Sequence, residues 1–191
     1  MRTLTILLFS LIQGYSFAQE HETVLDAPGN WQKEIIPFPI DFAPEIDLEG
    51  FEDLRFAPGW SDSTSEEFWT YMFVWCVEES GPLTEEGLTK YFNSYYDGLN
   101  RIEERNKMDT TGRHQFEKSI SIFIASNHGF QGKIRLYDGF FTKKYFTLNI
   151  NVHLLECDKQ KKQIIRCELS PLPFDHKVWQ IFKEVKLNGK C

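Results

Sequence analysis

Three groups of residues in this chain have types and spacings suited to chemistry, and the first surrounds a serine. Gly59-Trp60-Ser61-Asp62-Ser63 departs from the G-x-S-x-G nucleophile elbow at its last position, where Ser63 replaces glycine. Asp175 and His176 follow downstream, so the order serine, acid, base of a hydrolase is present. Adjacent residues rarely converge as acid and base, however. A Pro-Gly turn leading to a capped helix explains the same residues.

The second group pairs Cys76 with His128 or His153 as a thiol nucleophile and its base. Cys76 lies in a strongly apolar segment, where a buried structural cysteine is the usual interpretation. The histidines are scattered and no CxxC pair occurs, so the sequence predicts no metal site and no cofactor. We therefore expect no catalytic residue, and the alternative is a hydrolase that uses Ser61 or Cys76.

The third group is a row of polar residues on the longest predicted strand. Asn149, Asn151 and His153 alternate with apolar residues, so they project from one face of that strand. If this face meets water, they are ordinary surface groups. If the sheet curls around a cavity, they line a pocket. The ligand-binding set predicted on the second interpretation adds four aromatic walls: Trp60, Trp69, Tyr137 and Tyr145.

Apolar periodicity and turn residues predict the elements that would position these groups. Prolines punctuate an extended arm over residues 19–50, and a single domain over 51–191 follows. Thr84 is expected to cap a helix, and Phe174 with Trp179 to form a hydrophobic staple on the last one. The domain is predicted to contain a strand over 51–57, helices over 65–79 and 85–106, four strands over 119–126, 133–138, 145–157 and 163–169, and a helix from Asp175.

This order of elements predicts an α+β fold. The short connections between the later strands indicate antiparallel hairpins. We expect two layers: a four- to five-stranded antiparallel sheet, with two helices before and one helix after the main strands. Cystatin-like or NTF2-like curved sheets and small helix-grip folds are the analogies at the level of the fold, and they do not specify a function.

Four cysteines, Cys76, Cys157, Cys167 and Cys191, allow three full pairings. Cys157 and Cys167 stand symmetrically about Lys162, so the final hairpin would bring them together as a disulfide. That register places Glu156 opposite Glu168, which is unfavourable. The alternative register pairs Glu156 with Arg166 and separates the two cysteines.

The N-terminus predicts export. Arg2 precedes an apolar run, and Ser16-Phe17-Ala18 places small residues before a cut ahead of Gln19. Residues 1–18 are therefore expected to be a cleaved signal peptide of a secreted or periplasmic protein, which leaves no membrane span. The net charge of the chain is −7, which disfavours nucleic acid as a partner.

Three segments resemble uncharacterised secreted proteins of Bacteroidota: Phe56-Ala57-Pro58-Gly59-Trp60, Glu67-Phe68-Trp69-Thr70-Tyr71 with Trp75, and Leu169-Ser170-Pro171 with Asp175-His176. This resemblance implies no known activity.

The expected function is that of a secreted, noncatalytic binding protein. Its ligand would be a small apolar or aromatic molecule held between helices and sheet, or an envelope protein. A further alternative is a protein-interaction module that uses the acidic N-terminal half, with these candidates: Asp41, Glu45, Asp47, Glu49, Glu52 and Asp53.

Overall fold

A computed structural model of the chain describes residues 23–78, 81–106, 117–157 and 162–188. The predicted signal peptide, residues 1–18, and its cut before Gln19 lie outside the described residues. Within these ranges the chain forms nine strands, one α-helix and one 3-10 helix. None of the described helices has the length and apolar character needed to cross a membrane.

The described elements form one large antiparallel sheet and one small sheet. The large sheet has seven strands in the order β2-β3-β4-β8-β7-β6-β5, and β1 pairs with β9. The elements in chain order are β1 (Leu25–Asp26), β2 (Gln32–Pro37), β3 (Gly50–Phe56), β4 (Tyr71–Glu78), α1 (Glu85–Asn106), β5 (Ile120–Ser126), β6 (Gly129–Tyr137), β7 (Tyr145–Cys157), β8 (Lys162–Ser170), the 3-10 helix (Lys177–Glu184) and β9 (Lys186–Leu187).

The predicted fold class is wrong, because the chain is mostly β. The helix expected over residues 65–79 is instead β4, which lies between β3 and β8 near the middle of the sheet. Every residue from Tyr71 to Val77 is buried. A strand covered on both faces is apolar throughout, and such a run does not differ in periodicity from a buried helix. The sheet therefore has seven strands rather than four or five.

The remaining predictions of elements are closer to the structure. α1 spans Glu85–Asn106 as predicted, and the Thr84 hydroxyl accepts the Gly87 N–H at 3.1 Å. The last helix is a 3-10 helix capped by His176 rather than Asp175, and the Phe174 and Trp179 rings pack with centroids 4.9 Å apart. The predicted arm also contributes a strand, β2, to the edge of the sheet.

The two faces of the large sheet have different coverings. One face, which we call the helix face, packs Leu54, Phe73 and Trp75 against α1. The other, the outer face, packs Met72, Val74 and Cys76 against the 3-10 helix and β1. Within the described residues this second core draws mainly on β3, β4 and β8, with Cys157 at the end of β7. The outer face of β5 and β6, and that of β7 from Asn151 to Leu155, carries exposed and half-buried side chains instead.

The final hairpin has a register that neither sequence-based alternative predicts. Cys157 lies opposite Lys162, and Cys167 lies opposite Val152. The predicted Cys157–Cys167 disulfide is therefore wrong: Cys167 is a free, buried thiol, as is Cys76. Cys157 is disulfide-bonded, and Cys191 lies outside the described residues. The connection between β7 and β8 is shorter than the symmetric arrangement about Lys162 assumed.

Candidate functional site

The predicted polar row lies on the outer face of β7, and its members have separate roles. The amide nitrogen of Asn149 donates to the carbonyl oxygens of Pro171 at 3.2 Å and Leu172 at 3.0 Å. The side-chain oxygen of Asn151 accepts a hydrogen bond from Gln131 at 3.0 Å. Asn149 therefore holds the chain that follows β8. Of the three, His153 is the one that lines the pocket described below.

Two of the predicted aromatic walls lie on the other side of the molecule. Trp69 belongs to the core of the helix face, and its Nε1 has no hydrogen-bond partner in the described part of the chain. Trp60 stacks on Phe56, with ring centroids 4.4 Å apart. The indole of Trp60 donates to Gln32 at 3.3 Å. These tryptophans therefore do not share a cavity with the polar row.

The two predicted tyrosines pack against each other at the far end of the outer face. Their ring centroids are 5.2 Å apart, and the Arg135 guanidinium lies 4.6 Å from the centre of the Tyr145 ring. Tyr145 and His153 are eight residues apart on β7, a separation of about 27 Å along an extended strand. The structure therefore does not bring the seven predicted ligand-binding residues together.

His153 instead contributes to an open pocket at the other end of β7. The pocket has a volume of about 640 Å³. Its lining combines charged, imidazole and aliphatic groups from the turn before β6, from β7 and from β8: Asn127, His128, Gly129, His153, Leu154, Leu155, Arg166 and Glu168. The register positions the polar groups, because His153 lies opposite both Gly129 and Arg166, and Asn151 lies opposite Glu168.

An ion pair between Arg166 and Glu168 dominates the electrostatics of this pocket. Both Nε and Nη2 of Arg166 lie 2.8 Å from Oε1 of Glu168. The guanidinium also donates to the carbonyl oxygens of Val185 at 3.0 Å and Phe182 at 2.8 Å. These bonds join β8 to the end of the 3-10 helix and fix the orientation of Arg166.

Glu168 retains acceptor capacity on its second oxygen. Oε2 lies 3.7 Å from Nε2 of His153, which is longer than a direct hydrogen bond. Burial raises the pKa of Glu168, but the neighbouring His153 side chain and the charge of Arg166 outweigh burial and hold this pKa below its ordinary value. Glu168 is therefore a carboxylate at neutral pH, with one oxygen available to a hydrogen-bond donor.

The sequence interpretation missed Arg166, Glu168 and His128 as pocket residues. A signal for the first two was present, because Arg166 and Glu168 alternate with buried residues along β8. Their contribution depends on the β7–β8 register, which places them beside His153 and Asn151. His128 precedes β6 in the turn after β5, and composition alone does not distinguish it from other turn residues.

The serine segment does not show a hydrolase arrangement. Ser61 is an exposed residue of the connection between β3 and β4. His176 is the cap of the 3-10 helix: its Nδ1 accepts the Val178 N–H at 3.2 Å, and its Nε2 lies 4.0 Å from Glu66. One nitrogen of the imidazole is therefore used to cap the helix, and the other lies beside Glu66, beyond the length of a hydrogen bond.

The thiol candidate is enclosed. Cys76 has 0% of its surface exposed, on the outer face beneath the 3-10 helix. Burial is the largest influence on this thiol and raises its pKa. A thiol that is neither accessible nor ionised at neutral pH is a poor nucleophile.

Across the described residues, no group of three His, Cys, Asp or Glu side chains could hold a metal ion.

The acidic candidates of the N-terminal half do not form one surface. Glu45 and Asp47 hold the preceding loop onto α1, through hydrogen bonds from Ser94 and from Tyr91, the latter 2.6 Å long. These bonds lower the pKa of each carboxyl. Glu52 and Asp53 are fully buried on opposite faces of β3.

Glu52 is buried on the helix face, and no cation of the described residues pairs with it. Its carboxyl accepts hydrogen bonds from Nε1 of Trp75 at 3.0 Å and from the hydroxyl of Tyr95 at 2.9 Å. Burial is the largest influence and raises its pKa from 4.5 to about 8, against the effect of the two hydrogen bonds. Glu52 is therefore mostly protonated at neutral pH.

Asp53 is buried on the outer face in an ion pair with Arg55. Its Oδ2 also accepts from the Thr23 hydroxyl at 2.7 Å and from the amides of Val24 at 2.8 Å and Leu25 at 3.1 Å. Arg55 in turn donates to the carbonyl oxygen of Leu25 at 2.7 Å. This cluster ties the N-terminal part of the described chain to β3.

Comparisons with family models, with curated proteins and with solved structures find no match for this chain.

Proposed function

We propose that this chain is a secreted, noncatalytic binding protein whose ligand site is the pocket beside His153 and Glu168. Export is supported by the N-terminal pattern in the sequence, Arg2 followed by an apolar run and Ser16-Phe17-Ala18. The single observation that carries the proposal is a pocket of about 640 Å³ lined by the carboxylate of Glu168, the imidazole of His153 and Leu155. This volume lies in the range of small-molecule sites.

The polar groups of the pocket favour a ligand that donates hydrogen bonds. Arg166 is already bound to Glu168 and to two carbonyl oxygens, so it has little capacity for an anion. Glu168 keeps one oxygen available and is a carboxylate. Leu155 is 37% exposed on the same face of β7 as His153 and supplies apolar contact. A small amine or polyhydroxy compound with an apolar part matches these groups.

The alternative position, between α1 and the sheet, is occupied by the protein itself. The rings of Phe73, Trp75 and Phe92 pack with centroids 5.4 to 6.1 Å apart. Tyr95 stacks on Phe73 at 6.2 Å. A ligand in this layer would have to displace close-packed aromatic side chains. The ligand site is therefore proposed on the outer face.

A pair of probes of similar shape tests this proposal. We expect 2-phenylethylamine to bind at pH 7 and to shift the NMR signals of His128, His153 and Leu155. We expect 3-phenylpropionate, which carries a carboxylate instead, to bind at least fivefold more weakly. Equal binding of the two probes, or shifts that map to α1, would contradict the proposal.

Variants of the pocket separate recognition from folding. Glu168→Gln should weaken binding of the amine at least fivefold, and Leu155→Ser should also weaken it while leaving the ion pair with Arg166 in place. The matched control is Glu66→Gln, which alters an exposed carboxylate paired with Lys177 outside the pocket. Unchanged binding in both pocket variants would exclude this site.

A further inference from the structure

The two edges of the large sheet have opposite chemistry. β2 forms one edge, with exposed Lys33, Glu34 and Pro37. Charged side chains and proline on an edge strand oppose pairing with another chain. β5 forms the other edge, and the sequence from Ile120 to Ser126 contains no charged residue. Only one of the two edges therefore has the composition that normally prevents edge-to-edge association.

β5 also presents a row of exposed isoleucines on the outer face. Ile120, Ile122 and Ile124 are 62%, 65% and 63% exposed. They lie opposite Arg135, Lys133 and Gln131 of β6, so all three project from the same face. Large apolar side chains exposed side by side mark interaction sites.

The free backbone of this edge is confined to the second half of β5. α1 covers the first half, because the Ser119 amide donates to Asp97 at 2.7 Å and the Ser121 amide donates to Asn93 at 2.8 Å. Alternate residues of a strand direct their amides to the same side, so those of Phe123 and Ala125 also point away from β6. Within the described residues these two amides have no hydrogen-bond acceptor.

We propose that β5 pairs with β5 of a second copy of this chain, antiparallel, about a two-fold axis that passes through Ile124. In this register Phe123 exchanges backbone hydrogen bonds with Ala125 of the partner subunit, and the converse pair follows by symmetry. Ile124 faces Ile124 of the partner subunit, and Ile122 faces Ser126 of the partner subunit. The open half of each strand is used, while the halves covered by α1 lie outside the central pairs.

A second copy suits this edge because the pairing is self-complementary. An uncharged strand meets an identical uncharged strand, so no like charges face each other across the paired strands. Isologous contacts of this kind are the commonest in soluble oligomers. A stable interface needs about 20–30 residues from each partner, more than a seven-residue strand provides. The dimer is therefore weak and depends on concentration.

Sedimentation velocity of the purified chain over micromolar to near-millimolar concentrations tests the dimer. We expect a reversible monomer–dimer equilibrium. Ile124→Lys should weaken it at least tenfold, because two like charges would face each other on the axis. Ile120→Lys is the matched control: it has the same exposure but lies off the axis, so dimerisation should be largely retained. A chain that stays monomeric throughout, or equal losses in both variants, would overturn the proposal.

Cross-linking provides a second test that does not depend on affinity alone. Residues opposite each other in a non-hydrogen-bonded antiparallel pair have Cα atoms about 4.5 Å apart, which is within the range of a disulfide. Ile124→Cys should therefore form an intermolecular disulfide under mild oxidation. The two Ile120 positions would be about 27 Å apart along the paired strands, so Ile120→Cys should not. Cross-linking through position 120 but not through position 124 would refute the register.

Discussion

Two neighbouring acids of β3 are equally buried but have opposite surroundings. Glu52 and Asp53 both have 0% of their surface exposed. Glu52 faces α1, and its hydrogen-bond donors in the described part of the chain are the neutral groups of Trp75 and Tyr95. Asp53 faces the other way and is paired with Arg55. Burial by itself therefore does not decide the state of a carboxyl: a buried acid is tolerated either as a neutral group or as one member of an ion pair.

The largest effect is expected when the ion pair is broken on one side. Arg55→Met would leave Asp53 as a buried charge without its cation, which costs about 3–5 kcal/mol of the free energy of unfolding. Urea denaturation monitored by tryptophan fluorescence measures this loss. Lys177→Met is the control, because Lys177 is 75% exposed in its pair with Glu66 and such pairs contribute about 0–1 kcal/mol. Similar losses of stability in both variants would contradict the difference expected between a buried and an exposed ion pair.

The second prediction concerns the pH dependence that Glu52 introduces. Its pKa rises from 4.5 to about 8 on folding, so the folded chain binds more protons than the unfolded chain between these values. The contribution to stability is complete below pH 4.5 and is lost as the pH rises to about 8, at a cost of a few kcal/mol.

Glu52→Gln should remove this loss, because the amide does not ionise. Denaturation of wild type and variant across pH 4 to 9 isolates the contribution, since the other titrating groups are common to both proteins. Glu78→Gln changes an exposed acid at the end of β4 and should keep the wild-type dependence. A Glu52→Gln curve parallel to that of wild type would show that Glu52 ionises normally.

The third prediction tests one donor to Glu52. Tyr95→Phe removes the hydroxyl 2.9 Å from Oε1, and an unsatisfied buried acceptor costs about 1–3 kcal/mol. Because this hydrogen bond lowers the pKa of Glu52, its loss should also move the midpoint of the pH dependence upwards. Tyr96→Phe is the control, since Tyr96 contacts the hydroxyl of Tyr71 rather than Glu52. A destabilised Tyr95→Phe protein with an unchanged midpoint would mean that the hydroxyl of Tyr95 does not influence the protonation of Glu52.

Elements with one exposed side could be predicted from the sequence. α1 has one apolar face and a capping threonine, and its predicted limits agree with Glu85–Asn106. The strand predicted over 145–157 matches β7, because apolar and polar residues alternate along it. Both elements expose one side, and the contrast between buried and exposed residues shows the period.

Elements enclosed on both sides could not be predicted in this way. β4 has no exposed face to reveal its period, so its apolar residues fitted a helix equally well. The ion pair of Asp53 with Arg55 and the environment of Glu52 depend on which strands flank β3. The pocket similarly depends on the register that places Arg166 opposite His153. Such pairings are set by tertiary packing rather than by local pattern.

The smallest effect is expected from a charge that acts on Glu52 from a distance. Glu34 lies on the neighbouring strand β2, and its charge is the last of the influences on Glu52; it raises the pKa of the buried carboxyl. Glu34→Gln should therefore lower the midpoint of the pH dependence slightly and leave stability at low pH unchanged. Denaturation across pH 6 to 9 measures the midpoint, with Glu45→Gln as an exposed control. A midpoint that stays fixed would mean that burial and the donors Trp75 and Tyr95 alone set the protonation of Glu52.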